Sequence, residues 1–116
     1  MRILGPGERR LLRDGVDVAP LTVADTPRER RKGLLGSDDV VGALWITKCP
    51  SVHMVGMRYP IDVAVVDGDG TVLKVATLRP WWGATAPRLR ATATIEARAG
   101  SMAQWGVTRG SRLEMR

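Results

Sequence analysis

A tight turn between two apolar segments constrains the fold of this chain more than any other feature. Residues 67–70 read Asp-Gly-Asp-Gly, and the apolar segments 61–66 and 71–78 flank them. Asp and Gly tolerate the backbone conformations that tight turns require, and the flanking segments have the length and β-branched content of strands. The pattern therefore predicts an antiparallel hairpin in the second half of the chain.

Other apolar runs predict further strands. We expect an N-terminal hairpin around the Asp14-Gly15 turn, and a second strand pair formed by residues 52–55 with residues 61–66. Further strands are predicted at residues 43–47, 93–98 and 112–115, and a long irregular loop at residues 79–91. The elements sum to an α+β fold, a mainly antiparallel sheet curled into a small barrel or roll with two short helices.

The first helix has a well-marked beginning. Thr26 is a capping residue, Pro27 suits the first helical position and Glu29 completes a capping box. This basic helix is expected to end near Gly33, with Leu34 and Leu35 then turning inward. A second, shorter helix is predicted from Ser101 to Gln104.

Length and charge bound the classes of protein and partner. With 116 residues, the chain is predicted to be a single domain, residues 1–116. Lys and Arg number 18 against 12 Asp and Glu, a formal charge of +6, so a solvated basic surface and a nucleic-acid site are both open. No apolar stretch approaches the about 18 to 20 residues of a membrane span.

Six motifs in a fixed order carry a family resemblance. They are TPRERRKGLL (26–35), ITKCPSVHM (46–54), MRYPIDV (57–63) with the following VDGDG (66–70), PW (80–81), IEARAG (95–100) and WGVTRG (105–110). Together they resemble the family called domain of unknown function 192, over about residues 17–115. Leu35, Met54 and Ser111 depart from the residues usual in that family.

The resemblance implies a fold more than a function. It implies a compact, sheet-rich bacterial or archaeal domain of uncharacterised activity, often exported in relatives. The first residues lack an apolar run beside basic residues, so we expect no signal peptide in this chain. The cytoplasm is the default expectation, with export of a longer precursor left open.

Cys49 and His53 are the candidate catalytic pair. An acid such as Asp62 would complete a Cys-His-acid arrangement for acyl transfer, as in a cysteine-dependent hydrolase. In an extended strand the two side chains stand about 13 Å apart, so they meet only if Pro50 begins a turn. A free cysteine in an apolar run is more often a small buried hydrophobe.

No metal or other cofactor is predicted. One His and one Cys, even with two acids, make a poor zinc ligand set. The turn at residues 67–70 resembles the start of a calcium loop, but the later ligand positions are absent. A hairpin turn explains it.

Five residues are predicted to converge on one concave site. They are His53, Met57, Asp62, Trp81 and Glu96. For His53 and Asp62, a purely structural hydrogen-bonding role stays open as an alternative. Of Trp81 and Trp82, at least one is expected to pack as a lid over the end of the barrel.

The few catalytic residue types favour a binding module over an enzyme. The leading hypothesis is a pocket near His53 and the Trp81 loop that holds a small molecule, a saccharide, or a peptide or protein partner. The alternatives are a basic nucleic-acid-binding domain and a hydrolase that uses Cys49 and His53.

Overall fold

The computed structural model describes residues 1–116 as nine strands and two helices. The strands are β1 (Ile3–Leu4), β2 (Arg9–Arg13), β3 (Val16–Ala24), β4 (Asp39–Val40), β5 (Ala43–Thr47), β6 (Ile61–Val66), β7 (Val72–Leu78), β8 (Ala93–Arg98) and β9 (Leu113–Met115). The helices are α1 (Pro27–Lys32) and α2 (Ser101–Gln104). Neither helix has the length and apolar character needed to cross a membrane.

Seven strands form one curled sheet in the order β7-β6-β8-β5-β3-β2-β9, and β1 pairs with β4 separately. The curl brings the two edge strands together, because an isolated bridge joins Thr71 to Arg112. The Leu113 amide also donates to the Gly70 carbonyl at 2.8 Å. Gly70 has φ +83°, and a Cβ there would lie 2.2 Å from the Leu113 carbonyl oxygen, so the turn needs glycine. The predicted α+β fold with a curled sheet and two short helices is confirmed.

The sheet is not antiparallel throughout. β3 and β5 are parallel neighbours, which requires a crossover between them, and residues 25–42 form that crossover. α1 belongs to this crossover and contacts β5. β5 and β6 both run antiparallel to β8, which lies between them, so residues 48–60 form a second crossover.

Both faces of the sheet are buried. Along β6, Ala64 and Val66 belong to one apolar cluster while Ile61 and Val63 belong to a second, as the alternation of a strand dictates. The first cluster draws on all seven strands and on α2, and we call its side the inner face. The second lies beneath the crossover segments, on what we call the outer face. Burial on both sides explains why the central strands read as continuous apolar runs.

The predicted start and end of α1 are confirmed. The Glu29 amide donates to Thr26 Oγ1, and the Thr26 amide donates to the Glu29 carboxylate, each at 3.2 Å. Pro27 occupies the first turn, and the helix ends at Gly33 with φ +49°. Local sequence therefore marks both ends of this helix, and none of its residues is buried in the core.

Two local predictions were wrong, and two short strands were missed. Residues 52–55 form no strand and make only the isolated bridge between His53 and Ala84, because Met54 and Met57 close a turn instead. β1 and β4 were not predicted, since two-residue strands carry no alternation to detect. Leu34 is buried as expected, but Leu35 is exposed.

Candidate functional site

A cleft of about 260 Å³ opens on the outer face, between the two crossovers. One wall is the end of α1 and the residues that follow it, and the other wall is the segment from Cys49 to Met57. Ile46 and Glu96 contribute from the sheet beneath. The cleft exists because the parallel β3–β5 pair and the β5–β6 connection each send a segment across the same face.

Glu96 is the polar group that the sheet presents to this cleft. Its side chain leaves β8 on the outer face, where its cross-strand neighbours are Leu44 and Val63. Glu96 is only 5% exposed, and no cation or side-chain hydrogen bond pairs with its carboxyl group. Burial raises the pKa of Glu96 to about 7, opposed in part by the Leu34 amide. The carboxyl group therefore exchanges a proton near neutral pH.

The residue above Glu96 is a glycine. A Cβ on Gly33 would lie 3.3 Å from Glu96 Oε1 and 3.4 Å from Ile46 Cδ1. Gly33 also has φ +49°, a conformation that L side chains rarely adopt. The glycine that ends α1 thus keeps a side chain from covering the carboxyl group.

Cys49 and His53 both line the cleft, but no hydrogen bond joins them. The Cys49 thiol donates to the Ser51 carbonyl at 3.2 Å, and His53 Nδ1 accepts from the Val55 amide at 3.3 Å. Burial raises the pKa of the Cys49 thiol, and the nearby Glu96 charge raises it further. A nucleophilic cysteine needs the opposite shift, so this geometry gives the hydrolase hypothesis no support.

The cleft opens through a basic mouth, which we define as Arg30, Arg31, Lys32 and Lys48. The first three line the cleft itself. Lys48 joins Arg30 and Arg31 around a shallow depression that shares Cys49 and Ser51 with the cleft. None of the four forms an ion pair, since the four ion pairs of the chain lie elsewhere.

Three of the five residues predicted for one concave site line this cleft: His53, Met57 and Glu96. Met57 is buried in the outer-face cluster, and His53 is exposed. Asp62 and Trp81 do not line it.

Asp62 is fully engaged elsewhere. Its Oδ1 accepts from the Thr77 hydroxyl at 2.6 Å, and its Oδ2 accepts from the amides of Gly100 and Met102 at 2.9 and 3.1 Å. α2 has no capping side chain of its own, so Asp62 caps it from β6. Arg58, a cation close to Asp62 in sequence, pairs with Asp38 instead, at 2.8 Å.

Trp81 and Trp82 project from the long loop rather than covering the barrel. They are 61% and 88% exposed. Trp81 has φ +70°, and its amide donates to the Met54 carbonyl at 2.8 Å. The Met54 amide in turn donates to the Gly83 carbonyl at 2.9 Å, so the tryptophans stand on a backbone that is fixed to the segment at residues 52–54.

Sequence reasoning missed the mouth of the cleft. Arg30, Arg31 and Lys32 were expected only to form part of a basic helix, and Lys48 was not grouped with them. The run of cations that ends at Gly33 could have indicated this basic mouth. A glycine beside the cations leaves the residue beneath it, Glu96, open to a ligand. No group of three or more His, Cys, Asp or Glu side chains in the structure is arranged so that it could hold a metal ion.

The fold and its cleft define a small α+β domain with a curled, double-faced sheet. The chain belongs to the family DUF192, described as uncharacterized ACR, which it matches over residues 10–115. This confirms the resemblance and extends it into β2. No curated protein matches the chain significantly.

Two solved structures share the fold. A protein of unknown function from Novosphingobium aromaticivorans DSM 12444 is 22% identical, with 83% of this chain and 74% of that chain covered, at a TM-score of 0.70. A "putative transcription regulator" from Sinorhizobium meliloti 1021 is 22% identical, with 92% and 91% covered, at a TM-score of 0.73. At this level of identity, the two structures show a common fold alone.

Proposed function

We propose that the chain is a binding module that holds a small molecule in the cleft above Glu96. The observation that carries the proposal is a carboxyl group that is 95% buried, faces the cleft and has no side-chain partner, only the Leu34 amide. A buried polar group that lacks hydrogen-bond partners destabilises a fold by about 1 to 3 kcal/mol, and the single Leu34 amide offsets this penalty for Glu96 only in part. A ligand that hydrogen-bonds Glu96 supplies a further partner in the bound state.

The surroundings of Glu96 suit a small ligand with a mixed surface. Ile46, Leu34 and Met57 give the cleft apolar walls, while His53 and Ser51 add polar groups near its opening. Small-molecule sites combine apolar walls with a few convergent polar groups in this way. At a pKa of about 7, the Glu96 carboxyl group can donate or accept a hydrogen bond at neutral pH.

The test is a binding screen with a variant that fills the cleft. We would record ¹H–¹⁵N spectra of the labelled protein against a library of small organic molecules, saccharides and short peptides. Val55→Trp places a large side chain at a lining position that is 55% exposed. Val16→Trp is the matched control, because Val16 is 52% exposed and lies on β3, away from the cleft.

We expect binders to shift the amides of residues 33–35 and 49–57, and Val55→Trp but not Val16→Trp to abolish those shifts. Shifts confined to other surfaces would overturn the proposal. Binding that survives Val55→Trp unchanged would overturn it equally.

Nucleic-acid binding is the second candidate, and the exposed tryptophan loop favours it. Trp81 and Trp82 share that loop with Arg79, Arg88 and Arg90, and residues 79–95 contain no acid. Aromatic side chains stack on bases, and cations neutralise phosphates. The structural neighbour from Sinorhizobium meliloti, described as a "putative transcription regulator", agrees with this candidate in its wording alone.

Fluorescence anisotropy with a labelled single-stranded oligonucleotide tests this candidate. Binding should weaken steeply as salt rises, and Trp82→Ala should reduce it by the stacking contribution of about 1 to 3 kcal/mol. Equal affinity of Trp82→Ala and the unmodified protein would rule the tryptophan loop out as a nucleic-acid surface.

A further inference from the structure

We infer that the ligand of the Glu96 cleft is a small organic anion, whose charged group binds the basic mouth and whose uncharged end reaches Glu96. The inference rests on the proposed function, because it assigns a chemical class to the ligand of the same site. It is carried by the charges that surround the cleft and by their lack of partners.

The mouth presents four cations and no acid. Arg30, Arg31 and Lys32 line the cleft, and Lys48 lines the depression that continues from it. Glu96 is the single acid among the lining residues of both cavities. Any ligand that enters must therefore pass a strongly positive opening, which attracts anions and repels cations.

These cations are free to bind a ligand. The carboxylates that form ion pairs in this chain are Asp14, Asp17, Asp38 and Asp39, and their partners are arginines outside the mouth. Arg30 donates to the Asp25 carbonyl at 2.8 Å, which fixes its stem while its charge stays uncompensated. Arg31 and Lys32 are exposed and make no side-chain hydrogen bond within the protein.

The positions of Glu96 at the floor of the cleft and of the cations at its mouth determine the orientation of the ligand. Glu96 lies on the sheet beneath Gly33, whereas the four cations lie on α1 and at the end of β5. An anionic group is repelled by an ionised Glu96 and attracted by the mouth, so it stays at the opening. The end that reaches the carboxyl group must then be an uncharged hydrogen-bonding group, such as a hydroxyl or a carbonyl.

A cationic ligand is the main alternative, since an amine would pair with an ionised Glu96. It would have to be held beside four unpaired cations, and like charges at close range oppose binding. The surplus of three positive charges around the cleft, four cations against Glu96, makes the anion the better match.

The experiment uses a library with equal numbers of carboxylates, phosphate monoesters, neutral alcohols and amines of similar size, screened by ¹H–¹⁵N spectra at low salt. We expect the molecules that shift residues 33–35 and 49–57 to be carboxylates or phosphate monoesters. The two anionic arms show which acid group the mouth prefers.

Charge variants then localise the contact. Arg31→Gln with Lys48→Gln removes two cations of the mouth, and should weaken anion binding roughly fivefold to tenfold. Arg28→Gln with Arg109→Gln is the control, because it changes the net charge equally at exposed side chains that line neither cavity. An equal loss in both double variants would mean general attraction to a basic protein and would overturn the inference.

The failures of the two proposals are distinguishable. If neutral molecules or amines bind in the cleft and anions do not, the anion inference is wrong while the binding module stands. If no class of molecule perturbs the cleft, both are overturned.

Discussion

The two faces of the central sheet each bury one carboxyl group, and they treat it in opposite ways. On the inner face, Asp62 accepts three hydrogen bonds and closes the start of α2. On the outer face, Glu96 has no side-chain partner and meets a cleft instead of protein. The two residues lie on adjacent strands, with Asp62 opposite Ala97 and Glu96 opposite Val63.

The difference teaches which carboxyl group stabilises the fold and which is available for binding. Asp62 organises a helix that lacks its own cap, so its desolvation is offset within the protein. Glu96 gains only a partial offset from the Leu34 amide, and burial raises its pKa to about 7. Groups with a pKa that is strongly shifted by burial cluster at functional sites.

The largest expected effect is the loss of Asp62. Asp62→Ala should lower the free energy of unfolding by about 3 kcal/mol, because it leaves the buried Met102 amide and the partly buried Gly100 amide and Thr77 hydroxyl without an acceptor. Denaturant titration measures the change.

Asp62→Asn keeps one acceptor oxygen, so it should lower the free energy of unfolding by less than Asp62→Ala does. If Asp62→Ala does not fold, Asp62→Asn still allows the loss to be measured. A loss below about 1 kcal/mol for Asp62→Ala would show that the inner face does not depend on this carboxylate.

The next effect concerns Glu96 and depends on pH. Its pKa in the folded chain, about 7, lies above the ordinary value of 4.5. Between these values the folded state holds a proton that the unfolded state has released, so stability falls as pH rises from 4.5 to about 7 and then levels off. The full decline is about 3 kcal/mol.

Glu96→Gln should remove this decline, so that the variant matches the unmodified protein at low pH and exceeds its free energy of unfolding above pH 7. Other titrating groups are present in both proteins and cancel in the difference. If the free energies of unfolding of the two proteins vary with pH in parallel, the prediction that burial destabilises ionised Glu96 is wrong.

The smallest expected effect is the loss of the cap of α1, which we compare with the loss of the Asp62 cap of α2. α1 is capped by its own Thr26, and Thr26→Ala should cost about 1 kcal/mol, well below the loss from Asp62→Ala. The hydroxyl that it removes is exposed, so water replaces part of the hydrogen bond. Thermal unfolding of both variants compares them directly, and equal losses would mean that the caps on the two faces are equivalent.

Local sequence predicted most of the fold. The hairpins around Asp14-Gly15 and at residues 67–70 and the capping box at Thr26 depend on contacts within a few residues, and all three are present. The short α2 is present as well, although its cap comes from the distant Asp62. The segment at residues 52–55 failed, because its hydrogen bonds go to the distant loop at residues 81–85 instead of to a neighbouring strand.

The sequence predicted the candidate site only in part. His53, Met57 and Glu96 do share a cleft, but Asp62 was grouped with them because an acid in an apolar strand gives the same local pattern as Glu96. The basic mouth was missed because α1 and Lys48 become neighbours only after two crossovers lie on one face.

What the sequence by itself determined is the set of elements, through turn chemistry, capping and the alternation of apolar side chains. Only the tertiary structure decided the roles of Asp62 and Glu96. Two of the three donors to Asp62 stand 38 and 40 residues further along the chain, at the start of α2, whereas Glu96 receives only the Leu34 amide. A carboxyl group's role depends on which distant donors the fold brings to it, and periodicity along one strand carries no information about them.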